Sequence, residues 1–449
     1  MQLHERIARN LALTVTGIGL VVTASRANAQ TWETLLDLQD TNNADAQGWT
    51  LLVDPYSGQL APSRLFFGGM IARHAAVLVF DQSTGTYDRH DVPDGFRVNQ
   101  LGVDPSSGNL FSAMLSYAIP GWQVSSSTDG GTNWTVADLF ALSTNGSGDA
   151  WGFAADNAGN LFVTGSAGQD SNGLNGHWVV RKSTDHGQSW STVDNYPNAV
   201  PNKIHFLSGT NGGLFVVGYR NGGSTWTVRR SRDSGASWAV VDSLPGIAYG
   251  VSSDSAGNVY VVGESGGWTV RQSSNGGNTW QTIYSGDPTG FGASDIAADN
   301  SGNLWVTGSY DFAWAVLHRD PVGSWQPVEF LAPAGSSTSP ILSSGEAITV
   351  DRAGNVFVTG YIRDDVTLPF RWVVFQRLSD TPVLRTAVSG QNLVLSWPAS
   401  YQGFMLQSAT TLVNGGDWQD SNLTPTVIGD QNVVNVSATN ATGFFRLRN

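Results

Sequence analysis

Among the aromatic, arginine and glutamate residues of this 449-residue chain, eight are the candidates for holding or cutting a polar molecule: Trp49, Arg97, Trp151, Arg220, Tyr249, Glu264, Glu346 and Arg363. Aromatic rings stack on the apolar faces of sugars, while arginine and carboxylate groups bond hydroxyls. Trp49, Trp151, Tyr249 and Glu346 stand at one recurring position, five residues before the start of a turn; Asn99, Ile204 and Ser294 hold it elsewhere. Carboxylates could also work as a pair. Retaining glycosidases hold two about 5–5.5 Å apart, and Glu264 with Asp311 or Glu346 with Asp364 are the pairs on offer. No spacing brings either pair together. Arg97, Arg220 and Arg363 could converge with Tyr219 or Tyr361 beside them, but again no motif places them.

A second set of acidic residues repeats. Ser127–Trp134 reads Ser-Thr-Asp-Gly-Gly-Thr-Asn-Trp, and close copies run Ser183–Trp190, Ser231–Trp238 and Ser273–Trp280. Their third positions are Asp129, Asp185, Asp233 and Asn275. A catalytic acid would not survive replacement by Asn275, whereas a turn that needs only a side-chain acceptor would. Calcium needs several clustered oxygens, and each copy offers one carboxylate. The expectation is structural turns, with no metal and no cofactor.

Another turn alternates with these: Asp104–Asn109, Asp156–Asn160, Asp254–Asn258, Asp299–Asn303 and Asp351–Asn355, with weaker copies at Asp54–Gly58 and Gly209–Gly213. Asp first and Gly fourth suit a type I turn closed by a left-handed glycine. Runs of alternating apolar residues flank each, and a strand opening on Trp122, Trp178, Trp226, Trp268, Trp314 or Trp372 precedes the next turn. The unit is four antiparallel strands in roughly 45–55 residues, the blade of a β-propeller.

The octapeptides resemble the Asp-box of bacterial neuraminidase-type (BNR, sialidase-like) repeats. The Asp-x-x-Gly-Asn runs resemble the bacterial seven-bladed SBBP repeat. Jointly the two resemblances cover about 50–380 and imply fold more than activity. A sialidase-like glycoside hydrolase would need three arginines on a carboxylate, a tyrosine nucleophile with a glutamate partner, an aspartate acid/base and an Arg-Ile-Pro motif in the first blade. This chain has Ser63-Arg64-Leu65 there, and the sialidase family has six blades.

Seven Asp-x-x-Gly turns predict seven blades. The seventh lacks its own fourth strand, and Thr31–Leu36 matches the pattern of Thr279–Tyr284, so the amino-terminal strand is expected to close the ring and cover its open edges. After Leu378 the pattern stops, and Leu393–Pro398, Gly403–Gln407, Val433–Val436 and Phe444–Arg448 read as short strands of a small C-terminal β-sandwich. The expected division is 1–29 signal peptide, 30–380 propeller and 381–449 sandwich. The class is all-β.

Arg6 and Arg9, an apolar run from Leu11 to Ala24 and Ala27-Asn28-Ala29 compose the signal, which implies export to the periplasm, the cell surface or the medium. The apolar run is too short for a membrane span. There is no cysteine, so burial and strand pairing must supply stability. A net charge of −13 without a basic stripe excludes nucleic acid as a partner.

Both repeated turns lie on one rim of such a ring, which leaves the opposite rim for ligands. The expectation is an exported, monomeric, non-catalytic propeller that binds a glycan or other polar ligand at that rim. The alternative is a sialidase-like glycoside hydrolase acting on extracellular glycans.

Overall fold

The computed structural model describes residues 13–15, 18–20, 32–40, 42–53, 64–82, 84–143, 146–169, 176–209, 212–286, 292–299, 301–333, 342–351, 354–379, 384–389, 392–399, 404–409, 418–429, 431–437 and 444–448. The segment read as a signal peptide lies outside these residues except Leu13–Val15 and Ile18–Leu20, which pair antiparallel. The turn at Asp54–Gly58 and the expected boundary near 380 also lie outside them.

Among the described residues, seven four-stranded antiparallel sheets follow one another between Glu33 and Arg377. The first is built from Ala46–Val53, Arg64–Ile71, His74–Asp81 and Thr86–Asp91. The innermost strands of the other six are Gly95–Val103, Ser147–Ala155, Ala199–Leu207, Ile247–Ser253, Ala293–Ala298 and Leu342–Val350. Each sheet packs on the next, and the seventh packs on the first. The class is all-β and the architecture a propeller.

Closure is made by the amino-terminal strand. Glu33–Leu38 pairs antiparallel with Arg371–Arg377, so the outermost strand of the seventh sheet comes from the other end of the chain. Trp32 seats this strand on the sixth sheet: its Nε1 donates to the Glu329 carboxylate at 3.0 Å and its ring meets Trp305 edge-on at 6.3 Å.

Tryptophan on glycine is what joins neighbouring sheets. The tryptophans that open the third strands are 0–2% exposed. Trp372 lies so close to Gly48 that a Cβ there would stand 2.1 Å from its Nε1; Gly345 faces Trp314 at 2.3 Å and Gly165 faces Trp122 at 2.0 Å. Only a glycine lets the indole reach the next sheet's backbone, and each buried ring contributes on the order of 1.5–3 kcal/mol.

The octapeptides form the turns between third and fourth strands. Ser183 Oγ donates to Asp185 and accepts the Gly187 amide at 2.8 Å, Asp185 accepts the Ser189 amide at 2.9 Å, and Trp190 Nε1 donates to the Gly187 carbonyl. The copies at Asp129 and Asp233 repeat this pattern, and Asn275 keeps the acceptor role toward Thr279. These bonds hold the carboxyls of Asp129, Asp185 and Asp233 down near pH 2. The turns also latch neighbouring sheets. His186 bonds Asp104 at 2.8 Å, and Ser234 Oγ donates to Asp156 at 2.5 Å.

After the ring come two small sheets, one of Arg385–Ser389, Asn392–Pro398, Gln431–Ser437 and Thr426–Ile428, the other of Gln419–Asp420, Met405–Ala409 and Phe444–Arg448. Leu393, Leu395, Trp397, Leu406, Val434 and Leu447 fill one core from both, which makes them a small sandwich.

Candidate functional site

Every innermost strand of the seven sheets carries a register shift, and in each the unpaired residue occupies the same place. The skipped residues are Trp49, Asn99, Trp151, Asn202, Tyr249, Ser294 and Glu346. A bulge leaves one residue without a cross-strand partner and re-aims its side chain. Here all seven line one central cavity of about 530 Å³, together with Phe312 from an opposite-rim turn and Leu342 at the start of the seventh sheet's innermost strand.

The fourth sheet corrects the count from sequence. Ile204 was expected at the mouth, but it is 3% exposed in the core between sheets, and Asn202 takes the position. Leu214-Phe215 is the counterpart of Leu161-Phe162, and the connection before it, Leu207–Gly213, is longer than Asp156–Asn160. Counting five back from Gly209 therefore stops two residues short of Asn202. Asn202 donates to the Ala248 carbonyl at 2.7 Å, tying the fourth sheet to the fifth.

Arg97 backs one wall, behind Trp49, Asn99 and Trp151. Its Nε donates to Asn99 at 2.6 Å and its Nη2 to Asp149 at 2.9 Å, while Asn99 donates to Asp149 at 2.6 Å. The guanidinium lies 4.6 Å from the Trp49 ring centre and 4.9 Å from that of Trp151. The two indoles thus clasp a cation that is already paired. Burial raises the Asp149 carboxyl to about 6 despite the opposing pull of Arg97 and Asn99.

The other wall carries Glu264, Tyr249, Glu346 and Tyr361. Ser344 and Tyr361 hydrogen-bond Glu346, whose carboxyl burial pushes up. The Tyr249 phenol is pushed up to about 12, first by burial and then by the charges of Glu264, Tyr219 and Glu346. Burial and the Glu346 charge likewise raise Tyr361. Glycine at 292 leaves room between the Tyr249 ring and Glu264, since a Cβ there would come 2.8 Å from the ring. Lys203, at the floor, donates to Asp295 at 2.5 Å, and Asp295 also accepts the amides of Ile296 and Ile348.

Of the eight residues singled out in the sequence, Trp49, Trp151, Tyr249, Glu264 and Glu346 line the cavity and Arg97 backs its indoles. Arg220 and Arg363 are elsewhere. Arg220 lies 5.0 Å over the ring of Tyr196, which stands on the third sheet's outermost strand, Ser191–Pro197. Arg363 donates Nε to the Leu368 carbonyl at 2.8 Å, Nη2 to that of Val366, and stacks on Phe370. The three arginines therefore do not converge. Lys203, Asp295 and Phe312 were not foreseen as site residues; small residues flank several bulges, as in Ala248-Tyr249-Gly250, but Pro201 and Lys203 flank Asn202, so that signal does not mark it.

Fold and cavity define a β-propeller of the all-β class. No protein-family model matches the sequence, and no curated protein is similar to it. Among solved structures, a puromycin hydrolase is similar over 90% of this chain and 66% of its own, with 10% identity and a TM-score of 0.50. A Hadza microbial sialidase aligns over 62% of this chain and 66% of its own at 16% identity and a TM-score of 0.44. A GH74 enzyme of Niastella koreensis aligns over 85% and 66% at 18% identity and 0.46. The chain spans 66% of the length of each of these three. At 10% identity, what the puromycin hydrolase shares with this chain is fold. No helix among the described residues is long and apolar enough to cross a membrane.

Proposed function

We propose that this protein is an exported, monomeric, seven-bladed propeller (residues 30–380) that recognises a carbohydrate without cleaving it, with the sandwich from 381 as a spacer or attachment module. One observation carries the reading: seven equivalent bulges turn Trp49, Asn99, Trp151, Asn202, Tyr249, Ser294 and Glu346 into one cavity of about 530 Å³. Its volume falls in the range of small-molecule sites, and aromatic edges beside amide and carboxylate groups suit a polyhydroxylated ligand.

A sialidase-like hydrolase is the second reading, supported by the hydrogen bond between Tyr361 and Glu346, a tyrosine–glutamate pair in the cavity. Against it stand the scattered arginines and a Tyr361 phenol raised rather than lowered.

Glycan-array binding, run beside release of 4-methylumbelliferone from a panel of glycosides, separates the two. Binding without turnover, abolished by Trp151→Ala, supports recognition. Turnover that disappears in both Tyr361→Phe and Glu346→Gln overturns it. A chain that neither binds nor cleaves across the panel removes the carbohydrate reading.

A further inference from the structure

We propose that the ligand is cationic: the cavity takes an amine-bearing sugar, with Glu264 and Glu346 as the partners of its ammonium group. The inference rests on the carbohydrate reading and narrows it to one chemical class.

The argument is a charge inventory. Two cations serve the cavity, and each is already neutralised from within. Arg97 is bound to Asp149 at 2.9 Å and clasped by Trp49 and Trp151. Lys203 is bound to Asp295 at 2.5 Å, a carboxylate only 2% exposed. Two carboxylates are left over. Among the described residues, neither Glu264 nor Glu346 has a lysine, arginine or histidine within ion-pairing distance.

The groups facing Glu346 are Ser344 on its own strand, Tyr361 on the next, Arg97 from the second sheet and Asp295 from the sixth. Both glutamates line the cavity together with Tyr249, and the charges of both raise its phenol. An anionic sugar would enter beside two carboxylates that form no ion pair, which is unfavourable. An ammonium group gains both charges and the faces of Tyr249 and Tyr361, an arrangement in which cation–π attraction adds to the ion pairs. The chain's net charge of −13 draws cations toward the mouth as well.

Burial holds the Glu346 proton more tightly than usual, and a bound ammonium must displace it. Binding should therefore tighten as pH rises through the acid range while the ligand amine stays protonated.

The test is calorimetry of the full chain with three trisaccharides: β-1,4-linked glucosamine, its fully N-acetylated counterpart and an oligogalacturonate, with spermidine as a cation that is not a sugar. The glucosamine trimer should bind at least about tenfold more tightly than the acetylated one. Glu264→Gln and Glu346→Gln should each erase most of that preference; both are isosteric, and either alone suffices if the other fails to fold. Equal binding of the two trimers, or tightest binding of the oligogalacturonate, overturns the cationic inference and leaves the carbohydrate reading standing. Spermidine binding without any sugar binding upholds the charge argument and removes the sugar. Silence from all four ligands overturns both.

Discussion

The Arg97 guanidinium donates to the Asp149 carboxylate at 2.9 Å across the boundary of the second and third sheets, and it does so from between two indole rings. The pair is the most buried ion pair at the cavity wall apart from Lys203 with Asp295. Breaking it from one side leaves a carboxylate in a desolvated place. Arg97→Met should cost about 3–5 kcal/mol. The double variant Arg97→Met/Asp149→Asn should recover much of this in a urea-denaturation cycle; strictly additive losses would show that the pairing is not what the position depends on.

Two partly buried histidines set an acid limit. Burial, aided by Lys203, lowers His205 to about 4, and burial with Arg377 lowers His318 to about 4. A depressed histidine lends stability that is fully present above the ordinary value of 6.5 and lost as pH falls through 4. Asp149 runs the other way, since its raised carboxyl lends stability below about 4 that is gone by about 6. His318 stacks on Trp305 at 3.9 Å and bonds Asn303 at 3.0 Å. His318→Gln should flatten the fall in Tm between pH 6.5 and 4; an unchanged slope counts against His318 as a contributor.

Gly48 is where the first sheet meets the seventh. A Cβ there would stand 2.1 Å from Trp372 Nε1 and 2.3 Å from Thr359 Oγ1, and Trp372 Nε1 already donates to that hydroxyl at 2.9 Å. The glycine's φ is ordinary, so the cost of Gly48→Ala is steric rather than conformational. It should reach at least about 2 kcal/mol. Gly85→Ala, at an open left-handed turn, is the contrast, where only backbone strain acts. Equal thermal shifts for the two would contradict this account.

Strand exchange at closure is testable in trans. Truncation through Leu38 uncovers the edge of Arg371–Arg377, and exposed edges pair with other chains. The truncated protein should melt earlier and scatter light at concentrations where the full chain does not. A synthetic peptide of residues 31–39 should restore much of the lost Tm. Failure of the peptide to act, with the truncated ring as stable as the full one, would mean that this strand does not close the ring.

Most of the strand pattern was legible because its signals are local. Asp156 accepts amides two and four residues on, and Asp185 accepts the amide four residues on within its own turn, so each turn is written in five to eight consecutive residues. Even the closing strand was readable, since Trp32 repeats the pattern of Trp280. The site was only partly legible. Trp49, Trp151, Tyr249 and Glu346 sit where a count from the turn puts them, because the strand from bulge to turn has a constant length in those sheets. In the fourth sheet a longer connection breaks the count, and Asn202 was missed. Arg220 and Arg363 lie outside the cavity for another reason: an arginine's direction is chosen by what it can reach, here Tyr196 in one case and the Val366 and Leu368 carbonyls in the other.

By itself, then, the sequence determined the strand unit, its repetition and the way the ring closes, because turn chemistry and alternation act between near neighbours in the chain. Tertiary structure alone decided which side chains meet at the centre and which charges are cancelled there. Arg97 finds Asp149 and Lys203 finds Asp295 only after the sheets pack side by side, and the two glutamates are left unpaired by that packing. Electrostatic pairing depends on distance in space and on burial, and a repeat read along the chain carries neither.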